Sequence, residues 1–156
     1  MASVEFRRPT AADIAELVDN LRDQDVDELV AAGYHDFGEI IAESIARSDW
    51  VVSATVGGRL ACVFGVSRAG GLLTAYGVPW MLGTPLVASN RRALARLAPR
   101  YIHEMLRSYP TLRNLVHARN SVALGWLRHV GFTIGPQVPH PNTGEPFHVF
   151  EMNRRV

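Results

Sequence analysis

Two apolar, β-rich runs separated by a pair of glycines constrain this sequence more than any other feature. Trp50 to Val56 and Arg59 to Val66 flank Gly57-Gly58. Glycine readily adopts the positive φ that a two-residue turn needs, so the two runs predict an antiparallel hairpin. Before residue 50 the apolar residues recur at helical spacing instead. A largely helical N-terminal part is therefore expected to precede a sheet.

The first fifty residues predict one strand and up to three helices. Ser3 to Arg7 alternates like a short strand, and Thr10 followed by Asp13 resembles a capping box that starts a helix. A break is expected through residues 23–25, and a second turn or helix then ends at Gly33. A further helix is expected over about residues 36–47.

After the hairpin, the pattern predicts further strands and a long helix. A strand within residues 72–83, most of it in 78–83, would carry Pro79 at its start or at an edge. Residues 86–108 look helical, and Pro99 should kink or split that helix near Leu97. Residues 112–118 form the next predicted strand.

The last part predicts a short helix and a strand pair. Asn120 is a good N-cap, and the helix should end at Gly131. Residues 132–135 and 146–152 are the expected strands, joined by a Pro-rich loop over 136–145. The predicted buried stripe of this helix consists of Val122, Ala123, Trp126, Leu127 and Val130.

Composition and charge exclude several classes of chemistry. All 16 basic residues are Arg, so Schiff-base, Lys general-base and Walker-type phosphate sites are excluded. Residues 1–50 hold 12 acids and 4 Arg, while the rest holds 3 acids and 12 Arg. A single cysteine, Cys62, cannot form an internal disulfide or a Cys-rich zinc site and is expected to be a buried hydrophobe. We expect one domain over residues 1–156, with no signal peptide and no membrane segment.

The predicted order of strands and helices resembles the GNAT N-acetyltransferase fold. The sharpest local match to the GNAT sequence pattern consists of Val116, Asn120, Ala123 and Gly131-Phe132. The resemblance implies an α+β (α/β/α) domain with a mixed central sheet of six to seven strands and helices on both faces. It also implies acetyl-CoA or CoA as cofactor, and a bulge in the strand over residues 79–84 whose backbone N–H polarises the thioester carbonyl. The implied cofactor-binding residues are Gly83, Thr84, Ser89, Asn90, Arg91, Arg92 and Asn120.

Two positions depart from the GNAT pattern. Leu127 stands where active members carry the Tyr that resembles a general acid, and leucine cannot donate a proton. The family's glycine-containing pyrophosphate loop corresponds to residues 86–92 here, a stretch without glycine.

Three segments resemble a narrower family, the small internal virion proteins of T7-like podoviruses. These segments are residues 79–84, 119–132 and 144–150. The resemblance implies a phage or prophage origin and a role in virion assembly through other virion proteins or its own copies. The implied location is the cytoplasm of the bacterial host, the virion or both. The leading prediction is this non-catalytic role, with a divergent acetyl-CoA-dependent N-acetyltransferase as the alternative.

The candidate site residues each have a structural alternative. Arg91 and Arg92 would either meet a phosphate at a helix start or form a solvated face, and nucleic-acid binding is the weakest interpretation. His35 or Glu39 could deprotonate an amine through water, but acids near a helix start favour a capping role. No histidine spacing predicts a metal site. The acids expected to be solvated, or else to attract an amine, are Asp19, Asp23, Asp25, Asp27 and Glu28.

Overall fold

Seven strands and six helices make up residues 3–155, the part of the chain that the computed structural model describes. The strands are β1 (Val4–Arg7), β2 (Ser48–Val56), β3 (Arg59–Ala69), β4 (Tyr76–Gly83), β5 (Thr111–His117), β6 (Thr133–Pro139) and β7 (Pro146–Asn153). The helices are α1 (Ala11–Asn20), α2 (Asp23–Ala31), α3 (Phe37–Arg47), α4 (Leu86–Ser89), α5 (Arg91–Ser108) and α6 (Ser121–Val130).

The strands form one mixed sheet in the order β1-β2-β3-β4-β5-β7-β6. Strands β1 to β4 are antiparallel neighbours, and so are β5, β7 and β6. The parallel contact between β4 and β5 consists of one register pair, Gly77 with Leu112. The sheet therefore has a four-stranded part and a three-stranded part that share a single ladder pair.

Helices cover both faces of the sheet. On one face, α1 and α3 bury Leu17 and Ile41 against Leu60 and Val63 of β3. On the other face, α5 and α6 contribute to a core around Leu112 of β5. This α/β/α arrangement with a seven-stranded mixed sheet confirms the predicted fold class.

Local signals in the sequence correctly placed three helix ends. Thr10 and Asp13 form a reciprocal capping box at α1. The Asn120 side chain accepts the Ala123 N–H at the start of α6, 3.1 Å away. Gly131 closes that helix in the left-handed region with φ 107°. In each case one residue satisfies backbone groups that a helix end leaves free.

Other boundaries differ from the prediction. Helix α2 begins at Asp23, so the chain breaks at Leu21–Arg22 rather than through residues 23–25. The predicted split near Leu97 is wrong, because α5 continues through the exposed Pro99 and the break lies at Asn90. None of the helices in the described residues is long and apolar enough to cross a membrane.

One side chain and one strand boundary in the later elements also differ from the prediction. Val122, predicted as buried, is 62% exposed, whereas Leu124 and Leu127 carry the buried side of α6. Strand β6 extends to Pro139, so the predicted loop over 136–145 is shorter than expected.

Candidate functional site: a cleft where the sheet separates

The central feature is the point at which β4 and β5 separate, which we call the split. Beyond Gly77 and Leu112, no further ladder pair joins these two strands within the described residues. Pro79 lies inside β4 and not at its start, but its backbone faces the split. It needs no N–H partner there, which is why the strand tolerates a proline. Pro79 thus lies at an edge, as predicted, but this edge is inside the sheet, where β4 and β5 have separated.

Strand alternation identifies which backbone groups face the split. The Pro79 carbonyl accepts Nδ2 of Asn114 at 2.8 Å, and the Gly83 N–H donates to Oδ2 of Asp25 at 2.8 Å. Backbone groups of alternate strand residues point to the same edge, so Met81 also presents its N–H and C=O to the split. Unlike its two neighbours on that edge, Met81 receives no side-chain hydrogen bond from the described residues.

Two carboxylates of α2 close the far end of the split. Asp25 is 3% exposed and also binds Nε of Arg22 at 2.6 Å. Glu28 accepts the His117 N–H at 2.7 Å and Nδ2 of Asn120 at 3.4 Å. Burial raises the pKa of Glu28, and the hydrogen bond from His117 only partly offsets this. The predicted solvation is wrong for Asp25, which is buried, and holds only in part for the half-buried Glu28, whereas Asp23 and Asp27 are exposed as expected.

A cleft of about 1160 Å³ passes through this region. Its walls include Met81 of β4, Leu115 of β5, Glu28 of α2 and Arg91 and Arg92 of α5. Apolar side chains from both helical layers line the remainder. A cavity of this size with a few convergent polar groups is typical of a small-molecule site.

The start of α5 forms the basic end of the cleft. The Asn90 side chain does not cap α5 and instead donates to the Leu86 carbonyl at 2.8 Å. The first N–H groups of this 18-residue helix therefore lack a side-chain cap. Arg91 and Arg92 are exposed in this first turn, where their charge opposes the helix dipole. A bound anion would relieve that conflict.

The segment before α5 makes hydrogen bonds within the chain. Thr84 is 3% exposed, and its hydroxyl donates to the Leu60 carbonyl at 2.8 Å. A Cβ at Gly83 would lie 2.7 Å from Cγ2 of Val87, so glycine is required here by packing against α4. Both residues therefore have structural roles in the chain itself.

The remaining predicted residues lie in different surroundings. His35 and Glu39 are exposed and do not line the cleft, and the N–H of Glu39 donates to the capping oxygen Oδ1 of Asp36. Ser89 is exposed and donates to the Leu86 carbonyl at 3.2 Å. Asn120 does line the cleft, where it joins the cap of α6 to Glu28.

Two further positions restrict the chemistry. Leu127 is 9% exposed and lines the cleft, so the side chain at this position is apolar and cannot donate a proton. Burial raises the pKa of the Cys62 thiol to about 12, which leaves no thiolate near neutral pH. No group of three or more His, Cys, Asp or Glu residues that could hold a metal occurs within residues 3–155.

Sequence reasoning named Asp25 and Glu28 only within a run of acids expected to be solvated or else to attract an amine, and it did not single out Asn114. A signal for the carboxylates was present, because Arg22, Asp25 and Glu28 recur every three residues and so share one helix face. The position of Asn114 depends on β4 and β5 being neighbours, which no local pattern reveals.

No family model matches this chain, and no curated protein matches it. Solved structures do match over nearly the whole length. A GCN5-related N-acetyltransferase from Kribbella flavida has a TM-score of 0.70 at 19% identity, covering 97% of this chain and 98% of the other. The ribosomal-protein-S18-alanine N-acetyltransferase from Escherichia coli has a TM-score of 0.65 at 15% identity, covering 98% and 95%.

A third match was crystallised with a ligand. A Bacillus subtilis acetyltransferase in complex with CoA has a TM-score of 0.65 at 12% identity, covering 99% of this chain and 100% of the other. At these sequence identities, structural similarity establishes the fold alone. Any activity has to be inferred from the residues of the site. The chain has the fold of the GNAT N-acetyltransferases.

Proposed function

We propose that this protein binds an acyl-coenzyme A in the split between β4 and β5 and transfers the acyl group to a primary amine. One observation carries the proposal. The Met81 backbone edge faces a cleft whose basic end holds Arg91 and Arg92 at an uncapped helix start. An unpaired strand edge takes up the amides of an extended ligand, and a helix start takes up phosphate.

The residues present fit such a ligand despite the missing glycines. Arg91 and Arg92 would hold phosphate oxygens as side-chain forks, together with the first N–H groups of α5. The Met81 N–H would donate to an acyl or amide carbonyl in the split. Coenzyme A supplies the acyl group as an activated thioester.

Glu28 is the residue that would accept the proton of the acceptor amine. An amine is an ammonium ion at neutral pH and must lose a proton before it attacks a carbonyl carbon. Glu28 lines the cleft, and its two described donors are neutral N–H groups. Its raised pKa places it closer to neutral pH than an exposed carboxylate.

Leu127 makes slow turnover the expected behaviour. As the amine nitrogen bonds to the acyl carbon, the carbon–sulfur bond breaks and the sulfur leaves as a thiolate. A thiol of ordinary pKa, about 8.5, can leave unprotonated and collect its proton from water. The reaction can therefore proceed although residue 127 supplies no general acid. It lacks the acceleration that a general acid would give.

Calorimetry with acetyl-CoA and with CoA at low salt tests the proposal. We expect dissociation constants in the micromolar range, and millimolar or absent binding would contradict it. Release of free thiol in the presence of a panel of primary amines then tests transfer. The buried Cys62 thiol contributes little background to this measurement.

A second candidate function is the virion-assembly role implied by the resemblance to podovirus internal proteins. Two observations favour it: the apolar Leu127 in the cleft, and the hydrogen bonds that the segment before α5 makes within the chain. In this case other virion proteins or further copies of the chain are the partners. Absent acyl-CoA binding, together with neighbouring portal, capsid and internal-core genes, would support it over the transferase.

A further inference from the structure

We propose that Pro79 and Asn114 are a positioning pair that opens the sheet, with the Asn114 carboxamide inserted into the ladder where β4 and β5 would next bond. This proposal rests on the proposed function, because it explains how the acyl-CoA cleft is kept accessible. The two strands begin to separate at a proline on one strand and an amide side chain on the other, and these two residues keep them apart.

Parallel-strand geometry fixes which bonds are missing. Gly77 pairs with Leu112, so the next pair along the ladder would join residue 79 to residue 114. That pair needs two bonds, one from the N–H of residue 79 to the carbonyl of residue 113, and one from the Leu115 N–H to the Pro79 carbonyl. Proline has no N–H, so the first bond cannot form.

The carboxamide of Asn114 replaces the second bond. Its Nδ2 donates to the Pro79 carbonyl at 2.8 Å, and its Oδ1 accepts the Leu115 N–H at 2.7 Å. Both backbone groups that would have bonded each other are thus satisfied with an amide between them. The strands are held apart while the Pro79 carbonyl and the Leu115 N–H each keep a hydrogen-bond partner.

A bulge in β4, which the family resemblance implies, does not cause this separation. The register between β3 and β4 runs without a shift from Cys62 opposite Gly83 to Ala69 opposite Tyr76. With β4 regular, the opening depends on the two residues that face the split at Pro79 and Asn114. Met81 is the next residue along the same edge and remains accessible because of them.

Three variants test the pair: Pro79→Ala, Asn114→Ala and the double variant Pro79→Ala/Asn114→Ala. The double variant regains an N–H and loses the spacer, so β4 and β5 should bond directly through residues 79 and 115. We expect at least tenfold slower amide exchange at residue 115 by NMR and at least tenfold weaker acetyl-CoA binding. The melting temperature should stay equal or rise, an outcome that simple damage to the fold would not produce.

The single variants separate the two contributions. Pro79→Ala keeps the spacer, so exchange at residue 115 and acetyl-CoA affinity should stay within twofold of the parent. Asn114→Ala should show slower exchange at residue 115 even if the double variant does not fold. The control pair Pro139→Ala/Asn153→Ala changes exposed strand residues outside the cleft lining and should alter neither measurement.

Two results would overturn the positioning role. One is unchanged exchange at residue 115 in both Asn114→Ala and the double variant. The other is protection at residue 115 with acetyl-CoA affinity unchanged. If the parent protein binds no acyl-CoA, the proposed function fails on its own, while the exchange measurement still decides whether the pair opens the sheet.

Discussion

Asp25 and Glu28 lie one turn apart on α2 and bind two different strands. Asp25 accepts the N–H of Gly83, the last residue of β4, and Glu28 accepts the N–H of His117, the last residue of β5. The two strands have already separated at this level, so the helix joins them where the sheet does not. One helix face thus fixes the width of the cleft and places a carboxylate inside it.

Replacing Glu28 with glutamine should slow acyl transfer without abolishing binding. The amide keeps an oxygen for the His117 N–H but accepts a proton poorly, so kcat should fall about 100-fold while KM changes little. The parent kcat should rise with pH through the raised pKa of Glu28, and this rise should disappear in the variant. Steady-state kinetics from pH 5 to 9 measures both.

Glu43→Gln is the matched control for that experiment. Glu43 also lines the cleft, but it is exposed and pairs with Arg47 at 2.6 Å. Its substitution should leave kcat within about twofold, because an exposed ion pair contributes little. Equal losses in both variants would remove the catalytic role assigned to Glu28.

Arg91→Ala/Arg92→Ala should weaken acetyl-CoA binding at least tenfold at low salt. Under the proposed function each side chain would supply a charge-assisted hydrogen bond to phosphate, and added salt should reduce the difference from the parent. Arg96→Ala/Arg100→Ala removes the same charge from the same helix, at positions outside the cleft lining. Calorimetry that finds both pairs equally weakened would assign the effect to net charge alone.

Asp13 should make the stability of the fold depend on pH below 4. The guanidinium of Arg7 lowers the pKa of Asp13 to about 2, with the Thr10 N–H and the Ser53 hydroxyl adding to the effect. Because the pKa of Asp13 is lower in the folded than in the unfolded state, the ionised carboxylate stabilises the fold at pH values above the unfolded pKa of about 4. This stabilisation is lost as the pH falls toward 2. The side chain of Arg7 is 44% exposed, so solvent screens the ion pair. We therefore expect it to contribute only about 1–2 kcal/mol to the free energy of unfolding.

Urea unfolding of Asp13→Asn at pH 7 and pH 3 measures this contribution. The variant should be less stable than the parent at pH 7, and the difference should shrink at pH 3. Asp27→Asn, a change of an exposed residue on α2, should show neither effect. A destabilisation that stays constant across this range would point to lost packing instead of lost charge.

Two glycine substitutions should change stability in opposite directions. A Cβ at Gly77 would lie 2.7 Å from Cδ2 of Tyr109 and 2.8 Å from Cδ2 of Leu112, so Gly77→Ala should cost about 1–3 kcal/mol. A Cβ at Gly125 in α6 meets no described atom within 4 Å, so Gly125→Ala should stabilise by about 0.5–1 kcal/mol. Urea denaturation distinguishes the signs.

The features predicted correctly from the sequence depend on neighbours along the chain. The Gly57-Gly58 hairpin, the Thr10 capping box and the Asn120 cap are each complete within a few residues, so their patterns are visible in the sequence. Together they place enough elements in order to indicate the fold class.

The cleft could not be predicted in the same way, because its groups meet across long separations. Glu28 meets His117 across 89 residues, and Asn114 meets Pro79 across 35. An acid on a helix or an asparagine on a strand has an ordinary solvated interpretation until the opposite strand is known. Pro79 correctly indicated an edge, but the sequence could not show that this edge lies inside the sheet, because that depends on where β4 and β5 separate.

One backbone pair between Gly77 and Leu112 is a small connection for a sheet of seven strands. Sheet hydrogen bonds are therefore expected to couple the four-stranded and three-stranded parts only weakly in the free protein, although Val66 of β3 and Leu112 of β5 belong to one core. A ligand whose amides bond to both diverging strands would merge them into a single unit. Occupancy of the cleft should then be visible as protection of amides far from the ligand, on β1 and β6 alike.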